Sequence, residues 1–175
     1  LITQRLQALA QTGLTYTKDA YDRERYEELM GIAERMLTAR FDLPEATLQN
    51  LHKVDTGYAT PKTDVRAIIL HEGKLLMVQE ADDKGWSLPG GWADIGDSPA
   101  QAGEREVREE TGLEVKVSRL LGVWDRNQHG HPPYPWHVYK LIFLCETLGG
   151  ELAISHESLD IAYVDPNNLP PLSLT

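Results

Sequence analysis

The chain has 175 residues, 41% hydrophobic and 25% charged, enough to bury the core of one full domain with a small helical appendage. Its 27 acidic against 17 basic residues give a net charge of −10, which argues against sequence-independent attachment to a nucleic-acid backbone, a task that needs surplus Lys and Arg. No run approaches the ~20 apolar residues of a membrane span, and the single cysteine, Cys145, cannot form an internal disulfide, which points to a reducing, cytoplasmic compartment.

In chain order, the first expectation is helix. Leu1 stands where an initiator methionine would, suggesting a trimmed start, and no basic-then-apolar signal pattern follows it. Ile2, Leu6 and Leu9 recur at helical spacing with Gly13 as a stop. Asp19 then caps a longer helix carrying Tyr26, Leu29, Ile32, Ala33, Met36 and Leu37, and Glu45 to Leu51 add a further turn or two after Pro44. The stripe Tyr26/Leu29/Ile32/Met36 has no obvious partner, which predicts a homodimer; docking on the chain's own second domain is the competing reading. The boundaries that follow are a helical domain over residues 1–54, a linker over 55–63 containing Gly57 and Pro61, and a second domain over 64–175.

In the second domain the period changes. Val65 to Leu70 and Lys74 to Gln79 read as strands joined by His71-Glu72-Gly73. A Leu88-Pro89-Gly90-Gly91 turn follows. Ser98 and Pro99 open a helix that runs to Thr111 and closes on Gly112. Glu114 to Trp124, Trp136 to Glu146 and Asp160 to Val164 complete the strands. Strands around a central helix predict an α+β domain with a mixed sheet, preceded by the small N-terminal helical domain.

The chemistry concentrates on that central helix. Glu106, Glu109 and Glu110 stand at i, i+3 and i+4, an arc of about 100° on one face. Three carboxylates so close raise one another's pKa, and a hard cation relieves them; with no His or Cys nearby the donors favour Mg²⁺, Mn²⁺ or Ca²⁺ over Zn²⁺. A bare acidic helix face offset by Arg105 and Arg108 would read as solvated surface. The Gly-Gly turn before it, the apolar Ala102 and Val107 on its other side and the closing glycine favour a metal site.

Gly91 followed after five residues by an acid, then after seven by Arg105-Glu106-Val107-Arg108-Glu109-Glu110-Thr111-Gly112-Leu113, resembles the signature of the Nudix hydrolases. One position departs: Asp97 stands where the family has Glu, keeping the charge but shortening its reach. The resemblance implies an α/β/α sandwich, an Asp97–Arg105 pair, Mg²⁺ or Mn²⁺ on Glu106, Glu109 and Glu110, and the Gly91 carbonyl as a backbone ligand. Asp55-Thr56-Gly57-Tyr58, Pro61 to Glu80, Trp86 to Trp92 and Leu169 to Ser173 extend the likeness to a bacterial branch with an extra N-terminal helical domain, whose members are described as ADP-ribose- or CDP-choline-type pyrophosphatases. In that branch further helix follows the segment matching Leu172, so a native chain continuing past Thr175 is implied.

The expected reaction is hydrolysis of a nucleoside diphosphate linked to another moiety, with metal activating water and neutralising phosphoryl charge. Glu106 or Glu110 could orient water instead of binding metal. Glu157, in the acidic loop before the last strand, is the first candidate for the general base and Asp160 the second, although an exposed loop acid needs no role. Arg66, alternating with Val65 and Ala67, either holds a phosphate or faces solvent. Trp124, Tyr134 and Trp136 frame a long segment rich in His and Pro, where an aromatic ring either stacks on a base or packs. Competing functions are a nucleoside triphosphate or RNA-end pyrophosphohydrolase, RNA being disfavoured but not excluded by charge, and a catalytically silent nucleotide-binding module, against which the intact acids speak.

Overall fold

A computed structural model of the chain describes residues 2–41, 56–132 and 134–174. Contacts divide it into two compact units, Leu1–Lys62 with Pro133–His137, and Thr63–Pro132 with Val138–Thr175.

The first unit is built on α1 (Ile2–Tyr16) and α2 (Ala20–Phe41). Asp19 caps α2 as its chemistry predicts, its Oδ1 accepting the Asp22 amide at 3.0 Å. Gly13 is not a stop: α1 passes through it and continues to Tyr16. A Cβ at Gly13 would stand 2.4 Å from the Tyr26 ring, so the glycine lets the α2 aromatic lie against the α1 backbone. Ala33 and Leu37 are buried, while Ile32 and Met36 are exposed. Gln4 ties α1 to the second segment of the unit by donating to the carbonyls of Tyr134 and Pro135 at 2.7 and 3.0 Å. The turn expected over Glu45 to Leu51 lies outside the described residues.

The second unit is a sheet with one long helix against it. Its elements are β1 (Lys62–His71), β2 (Lys74–Glu80), β3 (Trp86–Ser87), α3 (Pro99–Thr111), β4 (Leu113–Asp125), β5 (Val138–Gly150) and β6 (Ser158–Val164). The strand order is β3-β2-β1-β5-β4, with β6 paired to β2. β6 runs antiparallel along one edge of β2 from Leu75 to Glu80. β1 and β3 share the other edge, β1 at the hairpin and β3 opposite Val78 and Gln79. Glu72 and Gly73 turn that hairpin with φ of 50° and 76°, the paired left-handed geometry of a two-residue loop.

The strands differ from expectation at their ends: β4 is one residue longer at each end and β6 begins two residues earlier, at Ser158. β1 begins at Lys62, inside the expected linker, and β5 begins at Val138, which leaves Trp136 to the first unit. β3 is too short for periodicity to have revealed it.

Alternation along β1 sorts its side chains. Val65, Ala67 and Ile69 join Leu76, Val115, Phe143 and Cys145 in one core with Ala102 and Val107 of α3. Cys145 is a packed thiol, its pKa pushed up to about 11 by burial. Asp64 and Arg66 take the opposite face of the sheet.

Candidate active site

Local chemistry fixes both ends of α3. Ser98 is extended (φ −68°, ψ 156°), accepts the Gln101 backbone amide on its hydroxyl, and donates its own amide to Gln101 Oε1; Pro99 supplies the first helical residue. Such a cap contributes on the order of 1 kcal/mol. At the other end Gly112 turns left-handed and its amide donates to the Arg108 carbonyl. Val107 and Ala102 are fully buried, so the helix cannot rotate, and Glu106 and Glu110 are carried to the Gly-Gly turn while Glu109 lies on the exposed side of Arg105.

That turn is stitched to β1. Ala67 donates to the Pro89 carbonyl at 2.9 Å and Val65 to the Gly91 carbonyl at 2.8 Å, while Arg66 Nη1 donates to the Leu88 carbonyl at 3.0 Å. Gly90 has φ 139°, and a Cβ there would stand 2.0 Å from the Val65 carbonyl oxygen. Its amide donates to Glu110 Oε2 at 2.7 Å. At Gly91 a Cβ would meet Glu106 Oε2 at 2.7 Å, so the missing side chain is what lets the carboxylate approach the backbone. The Gly91 carbonyl spends one lone pair on Val65 and keeps the other.

Arg105 organises the acids. Its Nε donates to Asp97 Oδ2 at 3.0 Å, its Nη1 to Glu106 Oε1 at 2.8 Å and Glu109 Oε2 at 3.0 Å, and its Nη2 to the Trp92 carbonyl at 3.1 Å. The shorter Asp97 therefore does reach the guanidinium. Hydrogen bonding to Asp97 leads the causes that raise the Arg105 pKa. Burial, opposed by Arg105 and reinforced by Glu109, raises that of Glu106. Glu110 is 7% exposed. Burial pushes its pKa up to about 7 despite the Gly90 hydrogen bond and the pull of Arg66, with Glu80 and Glu106 adding repulsion.

These donors fit a hard divalent cation in kind: carboxylate oxygens, one of them desolvated and crowded by like charges, next to a backbone carbonyl with a lone pair to give. Among the described residues, however, no three His, Cys, Asp or Glu side chains converge into a ready cage; the Arg105 guanidinium bridges Glu106 and Glu109 instead.

On the opposite sheet face lies a buried ionic cluster that sequence reasoning did not foresee. Arg66 is bidentate to Asp64, Nε to Oδ1 and Nη2 to Oδ2 at 3.0 Å each, and lies 3.8 Å from Glu80, which also accepts the Ser87 hydroxyl. Lys140 of β5 donates to Asp64 Oδ1 at 3.1 Å. Arg66 therefore does not simply face solvent: it spends its donors on Asp64 and on the turn that carries Gly90 and Gly91. The one available signal was the charge of Lys140 inside the apolar stretch of β5.

The remaining candidates make local contacts of their own. Glu157 is exposed and pairs with His156 at 3.5 Å, next to Ser158, the ladder partner of Glu80. Trp124, at the end of β4, is half-exposed and stacks on His129 with centroids 5.6 Å apart. Tyr134 and Trp136 meet edge to face at 5.2 Å within the first unit.

A sheet braced by a helix whose acidic stripe is clamped to a Gly-Gly turn defines a class, the hydrolases that attack phosphoric anhydrides. Residues 60–175 match the family model described as NUDIX domain, and residues 1–52 match one described as UDP-X-like, N-terminal oligomerisation domain. The chain belongs to the Nudix family of pyrophosphohydrolases. It is 42% identical to the Bacillus subtilis (strain 168) protein YjhB over 170 residues, covering 97% of this chain and 82% of that one. Among solved structures it resembles a UDP-X diphosphatase, at 38% identity and TM-score 0.63 over 98% of this chain and 84% of the other. It also resembles an ADP-ribose pyrophosphatase from Streptococcus suis 89-1591, at 41% identity and TM-score 0.59 over 66% of this chain and 81% of the other.

Proposed function

We propose that this chain hydrolyses the pyrophosphate bond of a nucleoside diphosphate linked to another moiety, giving a nucleoside monophosphate and a phosphorylated moiety, in a Mg²⁺- or Mn²⁺-dependent reaction. The observation that carries this reading is Glu110, desolvated, aimed by the Gly90 amide and crowded by Glu106 and Glu80. The names of the similar solved structures, an ADP-ribose pyrophosphatase and a UDP-X diphosphatase, support ADP-ribose and UDP-linked compounds as the first to test, and the resemblance of the motif adds CDP-choline.

Glu106, Glu109 and Glu110 are the side-chain ligands in this reading, and Gly91 gives its carbonyl. The cation, when bound, lowers the pKa of its water and neutralises charge on the phosphoryl oxygens. Arg105 orients Glu106 and Glu109, and Asp97 holds Arg105. Glu157 takes the proton from the attacking water; its place beside Ser158, across the ladder from Glu80, brings it to the end of β2 that carries Glu80. Arg66 anchors the Gly-Gly turn, and Trp124 serves the nucleotide.

The test is a panel of ADP-ribose, UDP-glucose, CDP-choline and nucleoside triphosphates with Mg²⁺ or Mn²⁺, run on the parent and on Glu109→Gln and Glu110→Gln. The reading requires diphosphate turnover by the parent and a loss of ~10² or more, with weaker Mn²⁺ binding, in both variants. Variants that bind Mn²⁺ and turn over like the parent would sink it.

The chain acts as a homodimer in this proposal, supported by the description of the family model over residues 1–52 and by the exposed Ile32 and Met36 on α2. Light scattering at micromolar concentration checks it, a monomeric mass being the contrary result. No helix among the described residues is long and apolar enough to cross a membrane, and a cytoplasmic location remains part of the proposal.

A further inference from the structure

Lys140 is anomalous. Its side chain is only 10% exposed, yet among the described residues its ammonium has a single acceptor, Asp64 Oδ1 at 3.1 Å. An ammonium carries three donors, so two N–H groups have no partner among the described residues in a buried setting, where unmet donors are costly. Asp64 cannot neutralise it alone, because the same carboxylate already holds both prongs of Arg66. Asp64 thus serves two cations, of which Arg66 alone also has Glu80, at 3.8 Å.

The neighbourhood is cationic beyond this pair, in a chain whose net charge is −10. Burial lowers the Lys140 pKa, and Arg66 and Arg126 add to the effect against the pull of Asp64. His131 is likewise lowered, by burial and then by Arg126 and Lys140 among others. Arg126 is itself buried. Arg66 links this region to the acidic one, being 3.8 Å from Glu80 and within the electrostatic reach of Glu110. Arg66 thus responds to both groups of charges: Glu80 and Glu110 act on it, and it shares Asp64 with the buried Lys140 ammonium.

Trp124 is the ladder partner of Lys140, which puts both side chains on one face of the β4–β5 pair. Trp124 is 51% exposed, so the residue beside Lys140 on that face offers an accessible aromatic surface.

We propose that Lys140 is the floor of an anion subsite that takes one phosphoryl group of a diphosphate substrate, the group on the far side of the scissile bond from the Glu106/Glu109/Glu110 carboxylates, with Trp124 bordering it. This deepens the proposed function and rests on it for the identity of the substrate. Two unfilled donors match two oxygens of one phosphoryl group, and charge-assisted hydrogen bonds of this kind are about twice as strong as neutral ones. Asp64 holds the ammonium in place, and Arg66 holds Asp64.

The experiment is calorimetric titration of the full chain with inorganic pyrophosphate in EDTA, alongside steady-state kinetics on ADP-ribose with Mg²⁺. Lys140→Gln should weaken pyrophosphate binding about tenfold or more and raise KM similarly while kcat stays within about threefold; Lys140→Arg should recover most of both. Asp64 keeps its bidentate Arg66 in either variant, so folding should survive, and a thermal melt verifies it. A pyrophosphate-soaked crystal of the parent gives a readout that needs no variant: a phosphoryl oxygen should lie within hydrogen-bond distance of Lys140 Nζ. Parent protein that binds no pyrophosphate, a Gln variant that binds as well as the parent with unchanged KM, or density with no anion at Lys140 each overturns the subsite. Lys140-dependent pyrophosphate binding without turnover of any diphosphate compound would instead overturn the proposed activity and leave the subsite standing.

Discussion

The Gly90 amide donates to Glu110 Oε2 at 2.7 Å, so the turn and the helix hold each other in place. The bond is possible only because the backbone at Gly90 lies against β1 with φ 139°, where a Cβ would be 2.0 Å from the Val65 carbonyl oxygen. Gly90→Ala is therefore expected to destabilise the protein by about 3 kcal/mol or more through strain and overlap and to cut turnover at least ~10² by misplacing Glu110. Urea unfolding and initial rates check this. Parent-like values in both would show that the turn is not held as described.

The raised pKa of Glu110 makes a signed prediction. Its carboxyl goes from an ordinary 4.5 to about 7 in the folded chain, so between those values the folded state binds more protons than the unfolded one. Stability from this group is then fully present below about pH 4.5 and is lost as pH rises through about 7, by up to roughly 3 kcal/mol. Glu106, also raised mainly by burial, acts in the same direction. Metal-free protein in EDTA should lose denaturant stability from pH 5 to 8, and Glu110→Gln should flatten that slope. Added Mn²⁺ should restore stability most at the alkaline end, since the ionised carboxylate is the ligand. A slope of opposite sign, or one unchanged in the Gln variant, would contradict the assignment.

What could be read from the chain was what local chemistry decides. Ser98, Pro99 and Gly112 announce both ends of α3 because capping depends on residues within one turn, and the acidic stripe follows from helical spacing alone. Gly13 shows the limit: its role comes from Tyr26 on another helix, and nothing in the neighbouring sequence distinguishes a packing glycine from a terminating one. The Asp64–Lys140 pair joins residues 76 apart across the β1–β5 boundary, so it becomes visible only once strand order is known. Arg66 was found as a residue, yet its partners Asp64, Glu80 and Leu88 come from three different segments. Trp124, Tyr134 and Trp136 lie on one continuous segment of sequence, yet contacts divide it, with Tyr134 and Trp136 in the first unit and Trp124 in the second.

Arg105 and Asp97 offer a test of the shortened acid. Asp97 Oδ2 meets Arg105 Nε at 3.0 Å, and the same guanidinium bridges Glu106 and Glu109. Asp97→Asn should leave the helix intact, costing about 1 kcal/mol of stability for a partly exposed charged pair. Its larger effect should fall on the site, through a less constrained Arg105 and a kcat lower by about three- to tenfold. Asp97→Glu restores the family's residue and should remain within about twofold of the parent, given that longer acids suit this position in the motif. An Asn variant with undiminished kcat would mean that Asp97 has no part in aligning the acids.

Gly13 gives the sharpest test of the helical unit because two effects oppose. In an exposed helix interior, replacing glycine by alanine stabilises by about 1 kcal/mol. Here the added methyl would stand 2.4 Å from the Tyr26 ring, and overpacking of this kind costs about 1–3 kcal/mol unless the ring moves away, which sacrifices its own contacts. Gly13→Ala is thus expected to be net destabilising by urea denaturation, against its propensity. In a Tyr26→Ala background the obstacle is gone, and the same substitution should become neutral or stabilising. A Gly13→Ala protein more stable than the parent, with no coupling to Tyr26 in the double-mutant cycle, would show that α1 and α2 are not in the register found here.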